Sequence, residues 1–107
     1  MRTAAKVDGN QSEIVDALRG IPGCTVTSTA AIGKGFPDII VGWMGRNYLM
    51  EIKDGSLPPS KRKLTSHEKK FHQQWAGQVS VVNSVEEAFA VLDIEWWAPD
   101  EPDEIPF

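Results

Sequence analysis

Apolar and polar positions repeat along this chain with two different periods, and the changes of period mark out its elements. Between Asn10 and Arg19, Ile14, Ala17 and Leu18 share one side at helical spacing. Asn10 is a capping residue there, Glu13 follows three positions later, and Gly20, Pro22 and Gly23 form the stop. Residues 24–29 are β-branched and strand-like. Gly33 and Gly35 make residues 30–36 a loop, after which residues 37–42 and 47–53 read as two more strands. A polar, proline-containing connection, residues 54–64, leads to a helix over residues 65–76 with Phe71 and Trp75 on one side and Gly77 at its end. Residues 78–82 form a fourth strand. Ser84 caps a last helix whose stripe, Val85, Ala88, Phe89 and Leu92, is spaced i, i+3, i+4, i+7. The order αβββαβα, without internal repeat, predicts one α/β domain over residues 1–92, a small mixed sheet flanked by helices.

Three charged groups interrupt this pattern: Asp38, directly after Pro37, and Glu51 and Lys53. Met44-Gly45 is the natural centre of a hairpin turn, since glycine tolerates positive φ. A two-residue turn there sets Trp43 opposite Arg46, Val41 opposite Tyr48 and Asp38 opposite Glu51. Opposed residues share a face, with Cβ atoms roughly 5 Å apart, and Lys53, two residues beyond Glu51, shares it too. Two carboxylates held so close repel unless a positive charge lies between them. A hard divalent cation, Mg²⁺ or Mn²⁺, meets that need with oxygen ligands, and Lys53 adds a second positive charge suited to a phosphate. A plain Asp38–Lys53 ion pair is the alternative.

Charge refines the choice of partner. The net charge is −4, which argues against nucleic acid until its distribution is seen. Residues 93–107 hold six acids and no base, leaving nine acids against eleven bases, a net of +2, in residues 1–92. Lys61, Arg62, Lys63, Lys69 and Lys70 cluster as a basic stripe suited to a DNA backbone, and Lys34 stands in the glycine-rich loop within reach of a phosphate. The acidic, proline-rich tail has a disorder-like composition. Ile94, Trp96, Trp97, Ile105 and Phe107 are the residues able to anchor it on protein.

Pro37-Asp38 followed by Glu51-Ile52-Lys53, in the order αβββαβ, resembles the PD-(D/E)xK nuclease superfamily. The likeness covers roughly residues 10–92 and is greatest to its small, standalone, phage-type VRR-NUC members and to Holliday-junction-resolvase-like nucleases. It rests on Gly35-Phe36-Pro37-Asp38-Ile39, Glu51-Ile52-Lys53-Asp54-Gly55, the loop into Leu64-Thr65 and the strand after Gly77. The resemblance implies a restriction-endonuclease-like core and Mg²⁺- or Mn²⁺-dependent hydrolysis of DNA phosphodiesters, in branched DNA such as junctions or flaps. It implies Asp38, Glu51 and the Ile52 backbone carbonyl as metal ligands, and Lys53 as the residue acting on water or transition state. Glu13 matches the family's first-helix acid, a direct or outer ligand; equally, it is a cap acid of its own helix. Where the family commonly has glutamine at the start of its second core helix, this chain has Glu68, which also completes a capping box with Thr65. The rival reading is a nucleic-acid-binding or protein-interaction module on the same scaffold, without turnover.

Other motifs carry less. His67 and His72 imitate a zinc-protease pair, but five residues rotate them to different faces of a helix. Gly33-Lys34-Gly35 lacks the span of a phosphate-binding loop. Cys24, the one cysteine, reads as a small buried residue, and with no disulfide possible it suggests a reducing interior. No stretch is long and apolar enough to span a membrane. The expectation is a cytoplasmic protein, in a bacterial host cell if phage-encoded, acting on DNA as a homodimer whose tail packs on protein.

Overall fold

Four short strands and three helices, α1 Gln11–Arg19, β1 Thr25–Ser28, β2 Ile39–Trp43, β3 Arg46–Ile52, α2 Ser66–Gln74, β4 Ser80–Val82 and α3 Val85–Val91, make up residues 9–95, the part that this computed structural model describes. A 3-10 turn, Pro59–Lys61, lies in the connection before α2. The element order is the one the hydrophobic pattern predicts. The sheet runs β1-β2-β3-β4, antiparallel except for the parallel pair β3–β4, so it is mixed.

The hairpin has the expected register. Trp43 faces Arg46, Val41 faces Tyr48 and Ile39 faces Met50. Met44 and Gly45 both have positive φ, 52° and 78°, as a two-residue turn matching the twist of its strands requires. Ladder partners share a face, so the sheet sorts its residues into two sets. Val26, Ile39, Val41, Met50, Ile52 and Val82 point to one side, where Ile14 and Leu18 of α1 and Val85, Ala88, Phe89 and Leu92 of α3 close the core. Cys24 is buried at its margin, and burial pushes its thiol up from the usual value. Ile40, Leu49, Glu51 and Lys53 point to the other side, which α2 covers without burying any residue of its own. One face of the sheet thus carries the apolar core and the other the buried charges Glu51 and Lys53.

Three local expectations are corrected. The Asn10 side chain does not cap α1. Its Nδ2 donates to the carbonyls of Lys53 and Asn83, 3.0 Å each, tying the helix entry to the ends of β3 and β4. Gly77 does not end α2, because the chain turns to extended backbone already at Trp75, with ψ 123°. Strand β4 starts at Ser80 rather than at residue 78. The Gln78 side-chain amide takes the place of backbone, accepting from Leu49 N–H at 2.7 Å and donating to Leu49 C=O at 3.0 Å. Ile94, the first expected anchor of the tail, packs against the core, and its N–H donates to Phe89. The rest of the expected anchoring, from Trp96 onward, lies outside the described residues. Among those described, no helix is long and apolar enough to cross a membrane.

Candidate active site

Proline dictates how β2 enters the site. In a ladder, N–H and C=O groups of successive residues point alternately to the two neighbouring strands. The Lys53 N–H donates to Val82 of β4, so the polar groups of Ile52 face β2. Continuing the register beyond Ile39 and Met50 brings Pro37 opposite Ile52. Proline has no N–H, so the ladder bond that would occupy the Ile52 carbonyl cannot form. The Ile52 N–H is taken instead by the side chain of Asp38, whose Oδ2 accepts it at 2.7 Å. Thr29 braces the same corner, its N–H donating to Asp38 C=O at 2.9 Å and its hydroxyl to Pro37 C=O. Asp38 is thereby fixed beside Glu51, on the face that also carries Lys53.

Glu51 and Lys53 are the buried charged residues of the described chain, 2 % and 8 % exposed. Burial first, then the negative charges of Asp38 and Glu68, push the Glu51 carboxyl up to about 9. Its Oε1 is buried without a hydrogen-bond partner, and its Oε2 lies 3.7 Å from Lys53 Nζ. The ammonium sits closer to Glu68, whose Oε1 is 2.8 Å away. Burial pushes Glu68 upward, but the hydrogen bond from Lys53, the Thr65 N–H and the lysine charge together hold it below the usual carboxylate range. Lys53 and Glu68 are therefore the ion pair, and Glu51 is the acid left under strain.

A pH dependence follows. Unfolded, Glu51 loses its proton near the ordinary 4.5; folded, it keeps it to about 9. Between those values the folded state binds the extra proton, so stability falls as pH rises through that window. In metal-free buffer the melting temperature should decline from pH 5 to pH 9. Glu51→Gln should flatten that decline, and millimolar Mn²⁺ should offset it in the wild type but not in the variant. Thermal melts across the range, with EDTA or Mn²⁺, decide this; an unchanged slope in Glu51→Gln would show that other groups set it.

Asp38 and Glu68 open onto a hollow of about 430 Å³ lined also by Lys34, Gly35, Phe36 and His67, among others. Gly35, at φ +82°, lets its loop lie on the first turn of α2; a Cβ there would come within 2.3 Å of the His67 carbonyl oxygen. Of the residues expected from sequence, Asp38, Glu51 and Lys53 are brought together, and Lys34 lines the same hollow as Asp38. Glu13 is exposed and lines a different hollow with Asn10, Asp54, Asn83 and Glu86. Arg62 lines that second hollow too, its Nε donating to the Leu57 carbonyl at 2.9 Å. Lys61, Lys63, Lys69 and Lys70 are exposed.

Two residues join the site that sequence reasoning had not placed in it. Glu68 completes the capping box with Thr65 as expected and, with the same oxygen, holds Lys53. His72, one turn further along α2, has its Nε2 buried without a partner. Burial holds its imidazole below the ordinary value, with Lys53 adding to the effect and Glu68 opposing it. The signal available in sequence was the i, i+4 spacing of Glu68 and His72 on a helix following Lys53.

A divalent cation fits the donors present. Among the described residues no three His, Cys, Asp or Glu side chains form a ready-made metal cage. Asp38, Glu51 and the Ile52 carbonyl are the donors that would hold the cation, Glu68 having one oxygen committed to Lys53 and Thr65. The buried, unpartnered Oε1 of Glu51 is the atom a cation would satisfy. No protein family, curated protein or solved structure matches the chain.

Proposed function

We propose that this chain is a Mg²⁺- or Mn²⁺-dependent DNA endonuclease of the PD-(D/E)xK kind, hydrolysing phosphodiester bonds. The observation that carries the reading is a buried Glu51 carboxyl, its Oε1 without a hydrogen-bond partner, set between Asp38 at one side and an ion-paired Lys53 at the other. A structural ion pair would not need the second acid, which makes the site worse for itself until a cation arrives. Asp38, Glu51 and the Ile52 carbonyl would hold that cation, which supplies water activation and charge screening at the phosphorus. Lys53, restrained by Glu68, presents its ammonium where negative charge develops on the phosphoryl oxygens. Lys34, exposed at the hollow, meets an approaching phosphate.

The same reading extends to branched substrates and to a homodimer, whose two sites, related by a twofold axis, would cut paired strands of a junction. Plasmid nicking in Mg²⁺ or Mn²⁺ and none in EDTA is the expected result. A labelled panel should then be cut in the order junction or flap before linear duplex, with sedimentation giving a dimer. DNA binding without metal-dependent nicking would make the chain a non-catalytic binding module instead. Equal cleavage of all substrates by a monomer would remove branched-DNA selectivity and dimerisation while leaving the nuclease.

A further inference from the structure

A third hollow, of about 310 Å³, lies on the Glu51 face of the sheet and is lined by Phe36, Ile40, Asn47, Leu49, Trp75 and Gly77, with Gln78 at its edge. None of these carries a charge. Phe36 also lines the charged hollow that holds Asp38, so the two depressions share this residue. Three aromatic rings frame the junction. Phe71 and Trp75 stack with centroids 4.9 Å apart and planes 19° from parallel, and Phe36 stands edge-on to both, at 5.2 and 6.3 Å. Trp75 nevertheless stays 43 % exposed. Its position is set from behind by Phe71 and from the side by Gly77, where a Cβ would come within 2.9 Å of the indole Nε1. A large, flat, preoriented ring is thus left open to solvent beside a charged hollow.

We infer that this aromatic cleft is a stacking subsite for an unpaired DNA base adjoining the scissile phosphate, an inference that rests on the nuclease reading above. The division of character selects the occupant. A nucleotide has one charged end and one flat neutral end, and the surface offers a hollow carrying Lys34, Asp38 and Glu68 continuous with one that has only aromatic, aliphatic and amide groups. Base stacking needs no sequence-specific partner, because every base has a π face. Gln78 has its amide engaged with Leu49 and Ser80, so Asn47, exposed at the rim, is the polar group free to meet a base edge. A protein segment or a second copy of the chain would seek apolar bulk rather than an oriented ring.

The test uses the whole chain in EDTA, so that binding is read without cleavage. Fluorescence anisotropy of a labelled oligothymidine is compared with the same strand made of abasic residues. Wild type should prefer the base-containing strand by roughly 5- to 100-fold, the range for one stacked base. Trp75→Leu, which keeps apolar bulk but loses the aromatic face, should lose that preference while binding the abasic strand as before; Trp75→Phe should restore most of it. Equal binding of both strands by wild type would overturn the subsite without reference to any variant. So would a Trp75→Leu protein that keeps the full preference, or one that loses a dimer seen by sedimentation but no DNA affinity, which would assign the cleft to a second copy. Metal-dependent cleavage that persists in either case would leave the nuclease reading standing; base preference without cleavage would do the reverse.

Discussion

Glu51→Gln should fold at least as well as the wild type and cleave DNA about 10²- to 10³-fold more slowly, the range for removing one group that stabilises transition-state charge. The stability half of this expectation comes from the cost of the native residue. Glu51 is 2 % exposed, has an unpartnered oxygen and is pushed up by burial, Asp38 and Glu68. Glutamine keeps the shape and removes the charge, so at neutral and alkaline pH the variant should melt higher, by roughly 4–8 °C for each kcal/mol relieved in a chain of this size. The activity half comes from the donor set, which falls to one carboxylate. Asp38→Asn should behave alike, since the amide oxygen can still accept the Ile52 N–H that Asp38 Oδ2 now takes at 2.7 Å. Calorimetric Mn²⁺ titration, melting and nicking on the two variants separate the roles. Near-normal nicking with lowered stability would show Asp38 and Glu51 to be structural partners.

That pairing was legible in the sequence because it depends on parity alone. A two-residue turn at Met44-Gly45 fixes which residues oppose, and a period of two then places Asp38, Glu51 and Lys53 on one face whatever the strands' exact ends. Glu68 was less visible. Its capping box gave a sufficient local reason for a glutamate, and nothing local says that the same oxygen reaches Lys53, fifteen residues earlier in the chain. Asn10 illustrates the opposite error. Its residue type suits a cap, but two carbonyls at the ends of β3 and β4 compete for its amide and win. Gln78 was read as strand because its side chain does what strand backbone does. Glu13 had two readings, and the structure sets it at a different hollow from Asp38. For Glu68, Asn10 and Gln78 the deciding contact is a long-range side-chain bond, and such bonds leave no periodicity to read.

Lys53→Ala should keep metal binding and lose turnover by about 10²-fold, because an ammonium is no ligand but faces the charge that develops on the phosphate. It should also destabilise the metal-free fold, unlike Glu51→Gln, since it withdraws the positive charge 2.8 Å from Glu68 and 3.7 Å from Glu51 and leaves both acids unbalanced. Glu68 supplies the control. In Glu68→Gln the amide oxygen still accepts the Thr65 N–H, so the cap of α2 survives while the charge restraining Lys53 is lost. Cleavage should fall about 10- to 100-fold, as for other residues that orient a reactive group without touching substrate, with Mn²⁺ affinity little changed. Glu68→Ala should add a loss of helix stability to the same loss of rate, so the difference between the two variants isolates the cap. If Glu68→Gln cleaves normally while Lys53→Ala does not, Lys53 holds its place without Glu68, and the acid in α2 is a capping residue alone. If both cleave normally, the lysine is a buried counter-ion, and the catalytic role given to it falls while the nuclease reading stands.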